Sequence, residues 1–255
     1  MHGTLNDFLV VDGRANPIAN LPDFAREQCD RRSGIGADGV LYIEGSSVAD
    51  AMMRTINADG SEAEMCGNGM RCVARYLCEI DGLETRRIET AAGIIATDVL
   101  TKGVAYEIRV AMGVPAFEGR PLPFPESAFV SLGNPHVVVF EAHEGDVDIA
   151  TAAAEVQKMP GFPEGSNVHV AARNGDSSLS VRHWERGVGI TPSCGTGAVA
   201  AAVCAIRAGW ATSPVRVRVR GGALVVEWDG SGLAFLSGPA VRVFDTAVEA
   251  HPAAR

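Results

Sequence analysis

Apolar positions along the chain follow two periods. Met70, Val73, Ala74, Leu77 and Cys78 recur at the three- and four-residue spacing of one helix face. Three further helices are predicted: 22–32 with Pro22 in its first turn, 148–158 capped by Asp148, and 198–207 stopped by Gly209. Short apolar or alternating runs predict strands at 8–12, 40–44, 51–56, 87–90, 94–100 and 104–112. A second series is predicted at 137–140, 166–170, 179–184, 215–220, 224–228, 233–236 and 241–244. The stretch from Thr246 to Arg255 reads as loosely ordered. The arginines of 215–220 alternate with valines, the pattern of one solvated strand face rather than a nucleic-acid patch.

Two stretches repeat one another. Cys66-Gly67-Asn68-Gly69 opens the helix that follows it, and Cys194-Gly195-Thr196-Gly197 stands 128 residues later and does the same. A thiol at a helix N-terminus sits beside N–H groups without intrahelical partners, which favours its ionisation. Either motif alone fits a buried packing cysteine beside a tight turn. The matched pair points instead to two thiols facing one cleft, each carried by one of two similar halves. Pro121, Pro123 and Pro125 crowd 119–125, the best linker between those halves.

Composition narrows the chemistry. The 255 residues carry a net charge of -9, which disfavours a nucleic-acid partner. No apolar run approaches the roughly 20 residues of a membrane helix, and no signal-peptide pattern is present, so cytoplasm is the expectation. None of the six cysteines makes a C-x-x-C metal spacing, so no metal is expected. Cys29, Cys72, Cys78 and Cys204 read as packing residues. The Gly-rich run 33–39 lacks the Gly-Lys-Ser/Thr ending of a phosphate loop.

Three chemistries use two thiols across a cleft. A dithiol redox couple is disfavoured by the wide separation of the motifs. A Cys–His hydrolase needs one nucleophile and leaves the matched partner unexplained. Racemisation at an acidic carbon requires a pair, because one group removes a proton from one face while the other delivers one to the opposite face. Cysteine acidity suits that exchange, and two helix N-termini would hold the substrate carboxylate. Glu185 and Arg186 stand just before Cys194 and fit either a solvated pair at a strand end or a clamp for an ammonium and a carboxylate.

These motifs resemble the diaminopimelate epimerase family. The resemblance runs through His2-Gly3, Asn6-Asp7-Phe8, 34–39, 57–62, Met65 to Cys72, Gly133-Asn134-Pro135-His136, Glu185 to Thr191, Cys194 to Ala198 and Gly238-Pro239-Ala240. It implies an α/β (α+β) fold of two pseudo-symmetric domains, each a β-barrel-like sheet wrapped around a central helix. These would span 1–120 and 121–238, with a C-terminal strand near 239–248 returning to the first. It implies a cofactor-independent enzyme that interconverts LL- and meso-diaminopimelate, on the route to lysine and peptidoglycan, and it leaves a homodimer open.

The resemblance also assigns roles. Cys66 and Cys194 would be the acid–base pair. Backbone N–H groups of Gly67, Asn68, Gly195 and Thr196 would hold the carboxylate at the reacting carbon. Asn57, Asn167 and Arg186 would read the distal amino-acid end. Glu185 would meet an ammonium and, with His136, position the reacting groups. Asn6 and Asn134 would line the pocket, and the domains would close on substrate.

Three positions depart from the pattern. Ile190 stands where many members have Glu, and would remove a polar group beside the cleft. Gly39 stands where some have Gln. The chain starts directly at Met1-His2-Gly3, where members generally carry a first strand, which leaves a different start or a weakened edge. The nearest rival is a proline or hydroxyproline racemase-type enzyme, but these commonly have His at the position of Asn68 and lack the Glu-Arg-Gly-x-Gly run. Phenazine-pathway isomerases lack the cysteine pair. A catalytically impaired diamino-acid binder is the rival from another class.

Overall fold

The computed structural model describes residues 1–175 and 177–248. The first half contains β1 (His2–Gly3), β2 (Asn6–Asp12), α1 (Leu21–Cys29), β3 (Gly39–Glu44), β4 (Ala51–Asn57), β5 (Glu62–Ala63), α2 (Gly67–Asp81), β6 (Thr85–Thr90), β7 (Gly93–Thr101) and β8 (Ala105–Ala111). The second contains β9 (Ala116–Phe117), β10 (Ser127–Ser131), β11 (Pro135–Glu141), α3 (Ile149–Gln157), β12 (Asn167–Arg173), β13 (Ser178–Glu185), β14 (Gly189–Thr191), α4 (Gly195–Arg207), β15 (Val215–Val219), β16 (Gly222–Glu227) and β17 (Phe235–Val241).

Strand pairing explains the architecture. In the first half β1, β2, β3, β4, β6, β7 and β8 are neighbours in turn, and β17 closes the ring by pairing with both β8 and β1. This eight-stranded barrel encloses α2, whose Met70, Cys72, Val73, Ala74 and Leu77 are almost wholly buried. In the second half β9, β10, β11, β12, β13, β15, β16 and β17 follow one another around α4. Nearly every residue of α4 from Gly195 to Ala205 is buried, so its sequence is small and apolar on all sides. Strand β17 therefore belongs to both sheets. The Pro-rich segment joins β9 to β10 without regular structure.

The halves superimpose in register as well as in outline. Phe8 pairs with Gly39 as His136 pairs with Asn167. Leu41 pairs with Thr55 as His169 pairs with His183. Each of these residues has its counterpart 128 positions later, the same offset that separates the two cysteines.

Some element boundaries differ from the sequence reading. Helix α1 ends at Cys29 rather than at 32, because the Asp30 carboxylate accepts from the N–H groups of Arg32 and Ser33 and turns the chain. The strands expected at 233–236 and 241–244 are one strand, β17, that continues through Gly238 and Pro239. The returning strand thus covers 235–241 and not 239–248. Residues 242–248 lie outside any strand, and 249–255, part of the expected loose tail, lie outside the described residues.

Candidate active site

Two helices meet end to end at the centre of the molecule. Cys66 is the N-cap of α2 and Cys194 the N-cap of α4, both with extended backbone. The glycines that follow are nearly in contact: a Cβ on Gly195 would lie 3.5 Å from Gly67 Cα. The positive ends of both helix dipoles converge there, where an anion is favoured. The second glycine of each motif has a separate cause. A Cβ on Gly69 would meet Leu41 Cδ2 at 2.5 Å, and one on Gly197 would meet His169 Cε1 at 2.4 Å.

Around Cys66 the contacts are polar. Its thiol accepts from the Gly69 N–H at 3.4 Å and donates to Asn6 Oδ1 at 3.8 Å. Asn6 Nδ2 is tied to Asp38, which leaves its oxygen facing Cys66 and Asn68. Buried Asn68 donates to Asn6 Oδ1 at 3.1 Å and to the Ser193 carbonyl at 3.2 Å, bridging the halves. Beneath it lies Arg71, wholly buried, donating to Asn68 Oδ1, Thr4 Oγ1 and the carbonyls of Gly67 and Pro239. Burial lowers its pKa, but an arginine keeps its charge. Among the described residues no carboxylate hydrogen-bonds to it, although the Glu107 charge acts on it from nearby, so part of its field favours an anion at the α2 N-terminus.

Cys194 is more enclosed. Its sulfur lies 3.5 Å from Thr196 Oγ1. The Glu185 carboxylate accepts a short hydrogen bond from Thr191, and burial pushes its own pKa up. The expectation that these thiols ionise easily is overturned. Burial pushes both up, Cys194 well above the ordinary thiol range, and the Glu185 charge adds to the effect at each. The Gly69 N–H at Cys66 and the Thr196 hydroxyl at Cys194 oppose the rise without cancelling it. Desolvation outweighs the helix ends.

The remaining site residues fall into two groups. Asn134 Oδ1 accepts from the His136 ring at 2.7 Å, and His136 continues to His169. Asn167 donates to the Pro135 carbonyl and accepts from the Arg186 N–H, so it fixes the turn that carries Arg186. The Arg186 side chain is 40% exposed; its Nη1 donates to the Glu164 carbonyl at 3.5 Å and lies 3.9 Å from the Glu164 carboxylate, which leaves the rest of its fork accessible. Asn57 is exposed at the end of β4, donating to Ser61 Oγ. Glu185 and His136 belong to separate hydrogen-bond networks. Ile190 is 61% exposed on the β14 hairpin, across from Trp184.

Sequence reasoning missed Thr4, Arg71, Ser193, His169 and His183. Arg71 left a signal, as a cation within an otherwise apolar helix run. The others are legible only through strand register. Among the described residues no group of three His, Cys, Asp or Glu is placed to hold a metal ion. A surface cavity of about 290 Å³ lies at the far end of α4, lined by Phe117, Arg207 and Trp228 among others, and contains none of the residues above.

The sequence profile of the diaminopimelate epimerase family matches residues 1–118 and 128–243. The diaminopimelate epimerase of Desulforudis audaxviator is 41% identical over 96% of this chain and 96% of its own length. That of Sphingopyxis alaskensis is 41% identical over 96% and 94%. Among solved structures, a Bacillus anthracis phenazine biosynthesis protein of the PhzF family covers 93% of this chain and 92% of its own at a TM-score of 0.67 and 17% identity. A hydroxyproline epimerase from Agrobacterium vitis covers 94% and 87% at 0.66 and 15%. Those two likenesses describe the fold. The matched thiol caps, their order in the chain and the near-complete profile match together make this chain a member of the diaminopimelate epimerase family.

Proposed function

We propose that this enzyme interconverts LL- and meso-2,6-diaminopimelate by proton transfer at the α carbon between Cys66 and Cys194. The observation that carries the reading is the meeting of two cysteine-capped helices through Gly67 and Gly195. One sulfur, as thiolate, takes the α proton and becomes a thiol. The other, as thiol, gives its proton to the opposite face and becomes a thiolate. In the reverse direction the roles exchange, which is why chemically matched groups serve.

Backbone N–H groups of Gly67, Asn68, Gly195 and Thr196 hold the carboxylate at the reacting carbon, and buried Arg71 reinforces that end. The negative charge that develops on proton loss falls where two helix dipoles converge. Asn57, Asn167 and Arg186 read the distal end, Glu185 meets an ammonium, and Asn6 and Asn134 line the pocket. The reading divides the chain at residues 1–120 and 121–238, one thiol to each. It places the reaction in the cytoplasm on the route to lysine and peptidoglycan, and takes the working unit as a homodimer, which light scattering tests.

The test is proton NMR of LL- and meso-diaminopimelate in deuterated buffer, with Cys66→Ala, Cys194→Ala and L-proline as controls. Deuterium is expected at the α position of diaminopimelate alone, and both variants fail to epimerise. Exchange of proline instead would replace the substrate assignment, and absence of any exchange would overturn the reading.

A further inference from the structure

Three histidines stand in line behind Asn134. His136 Nε2 is 2.7 Å from Asn134 Oδ1, His136 Nδ1 is 2.9 Å from His169 Nε2, and His169 Nδ1 is 3.0 Å from His183 Nδ1. All three rings are buried, at 0%, 0% and 1% exposure. The line of rings ends at His183 Nε2, a buried atom with no hydrogen-bond partner among the described residues.

Neutral imidazole carries one donor and one acceptor, so a line of three has only two self-consistent polarities. In one, His136 donates to the Asn134 oxygen, His169 donates to His136, and His183 donates to His169. The unpartnered His183 Nε2 is then a bare lone pair. In the other polarity every proton shifts, the Asn134 NH2 must turn inward, and His183 carries a buried N–H with no acceptor. Orphaned buried N–H groups are rare in folded proteins, so the first polarity is the stable one.

The fold does not require histidines here. In the first half the same register positions hold Phe8, Leu41 and Thr55, all buried. Asn134 is in turn the counterpart of Asn6, whose amide lies against Cys66. The two asparagines differ in what ties them. Asn6 is held by its Nδ2 through Asp38 and shows its oxygen to the thiol. Asn134 is held by its oxygen through His136, which frees its NH2. The relay also touches the second thiol motif directly, because the His169 ring is the reason that Gly197 has no room for a side chain.

We propose that His169 and His183 are positioning residues, which together with His136 form a one-directional relay that turns the Asn134 NH2 toward the cleft to donate to an anionic group of the substrate. This rests on the epimerase reading above. The relay holds Asn134 in one of two amide orientations before substrate arrives, so substrate binding need not select between them.

The test has two arms. Ring-nitrogen NMR of the wild-type enzyme at pH 7 is expected to show His136 and His169 protonated on Nε2, His183 protonated on Nδ1, and no imidazolium. Any other set of tautomers, or a charged ring, overturns the relay whether or not the enzyme is active. In the second arm His169→Leu places the first half's residue in the relay. It is expected to raise KM for diaminopimelate about tenfold with kcat within about twofold of wild type, the pattern of a lost binding contact. His169→Gln, whose amide has both a donor and an acceptor, is expected to keep KM within about threefold. An unchanged KM in His169→Leu, or an equal loss in both variants, would overturn the positioning role. Absence of α-proton exchange in the wild type would instead remove the epimerase reading and leave the tautomer result standing.

Discussion

The Thr4 hydroxyl lies 2.6 Å from the Ser193 hydroxyl, buried, although the two stand 189 positions apart in the chain. Thr4 belongs to the β1–β2 turn of the first half and Ser193 immediately precedes Cys194, so this contact ties one half to the thiol of the other. Removing either hydroxyl leaves its partner buried without its full set of bonds. Thr4→Val and Ser193→Ala are each expected to cost about 1–3 kcal/mol. The double variant should cost about 1 kcal/mol less than their sum. Urea unfolding of the four proteins measures this coupling, and simple additivity would mean that the hydroxyls do not interact.

The two thiols are expected to react slowly at neutral pH. Both are pushed up by burial and by Glu185, so the thiolate fraction rises with pH through and beyond the ordinary thiol value. Alkylation of the substrate-free enzyme, followed by mass spectrometry, should therefore accelerate about tenfold per pH unit up to at least pH 9. Cys66, which is partly exposed, should react before Cys194, at 5% exposure. A rate that levels off below pH 8 would contradict the assignment.

Acid should destabilise the second half through its histidines. Burial lowers His136 and His183 to about 3 and holds His169 well below its ordinary value; neighbouring rings add to the effect at His136 and His169, and Arg186 adds at His136. An unfolded histidine titrates near 6.5, so the unfolded chain binds more protons than the folded one between these values. The contribution is fully present above about pH 6.5 and is lost as pH falls, by about 1.4 kcal/mol per pH unit for each ring. Three rings give a steep acid limb. His183→Thr, which borrows Thr55 from the other half, should make the limb shallower in pH-dependent urea unfolding, and an unchanged slope would refute this account.

Gly197→Ala should destabilise the protein by about 1–3 kcal/mol, because the new methyl group meets the His169 ring at 2.4 Å. Gly119→Ala, in the open segment with nothing within 4 Å, is the control. It should stay within about 0.5 kcal/mol of wild type. Equal thermal shifts for the two would show that the first turn of α4 can move away.

The chain announced the parts of the fold and site that are local. Each Cys-Gly-x-Gly run, the periodic apolar face of α2 and the cap at Asp148 can be read from a few consecutive residues. What escaped it depends on pairing. His169 and His183 look unrelated until β12 and β13 lie side by side, and Arg71 finds the Pro239 carbonyl 168 residues away. The thiol acidity was misread for the same reason. The helix end is visible in the sequence, but the burial that outweighs it is a property of two halves packed together. Gly238-Pro239 looked like a break between strands, yet it lies inside β17.

Strand β17 sets an order of events during synthesis. The first barrel requires residues 235–241 to join β8 to β1, and these are made after every other strand of both halves. The half translated first is therefore completed last. Until then β8 stands as an open strand edge, a template for stray pairing with other chains. A truncation that removes this strand would open the first barrel and take the last strand from the second sheet at once, so neither half is a unit that can be cut free and expected to hold its thiol in place.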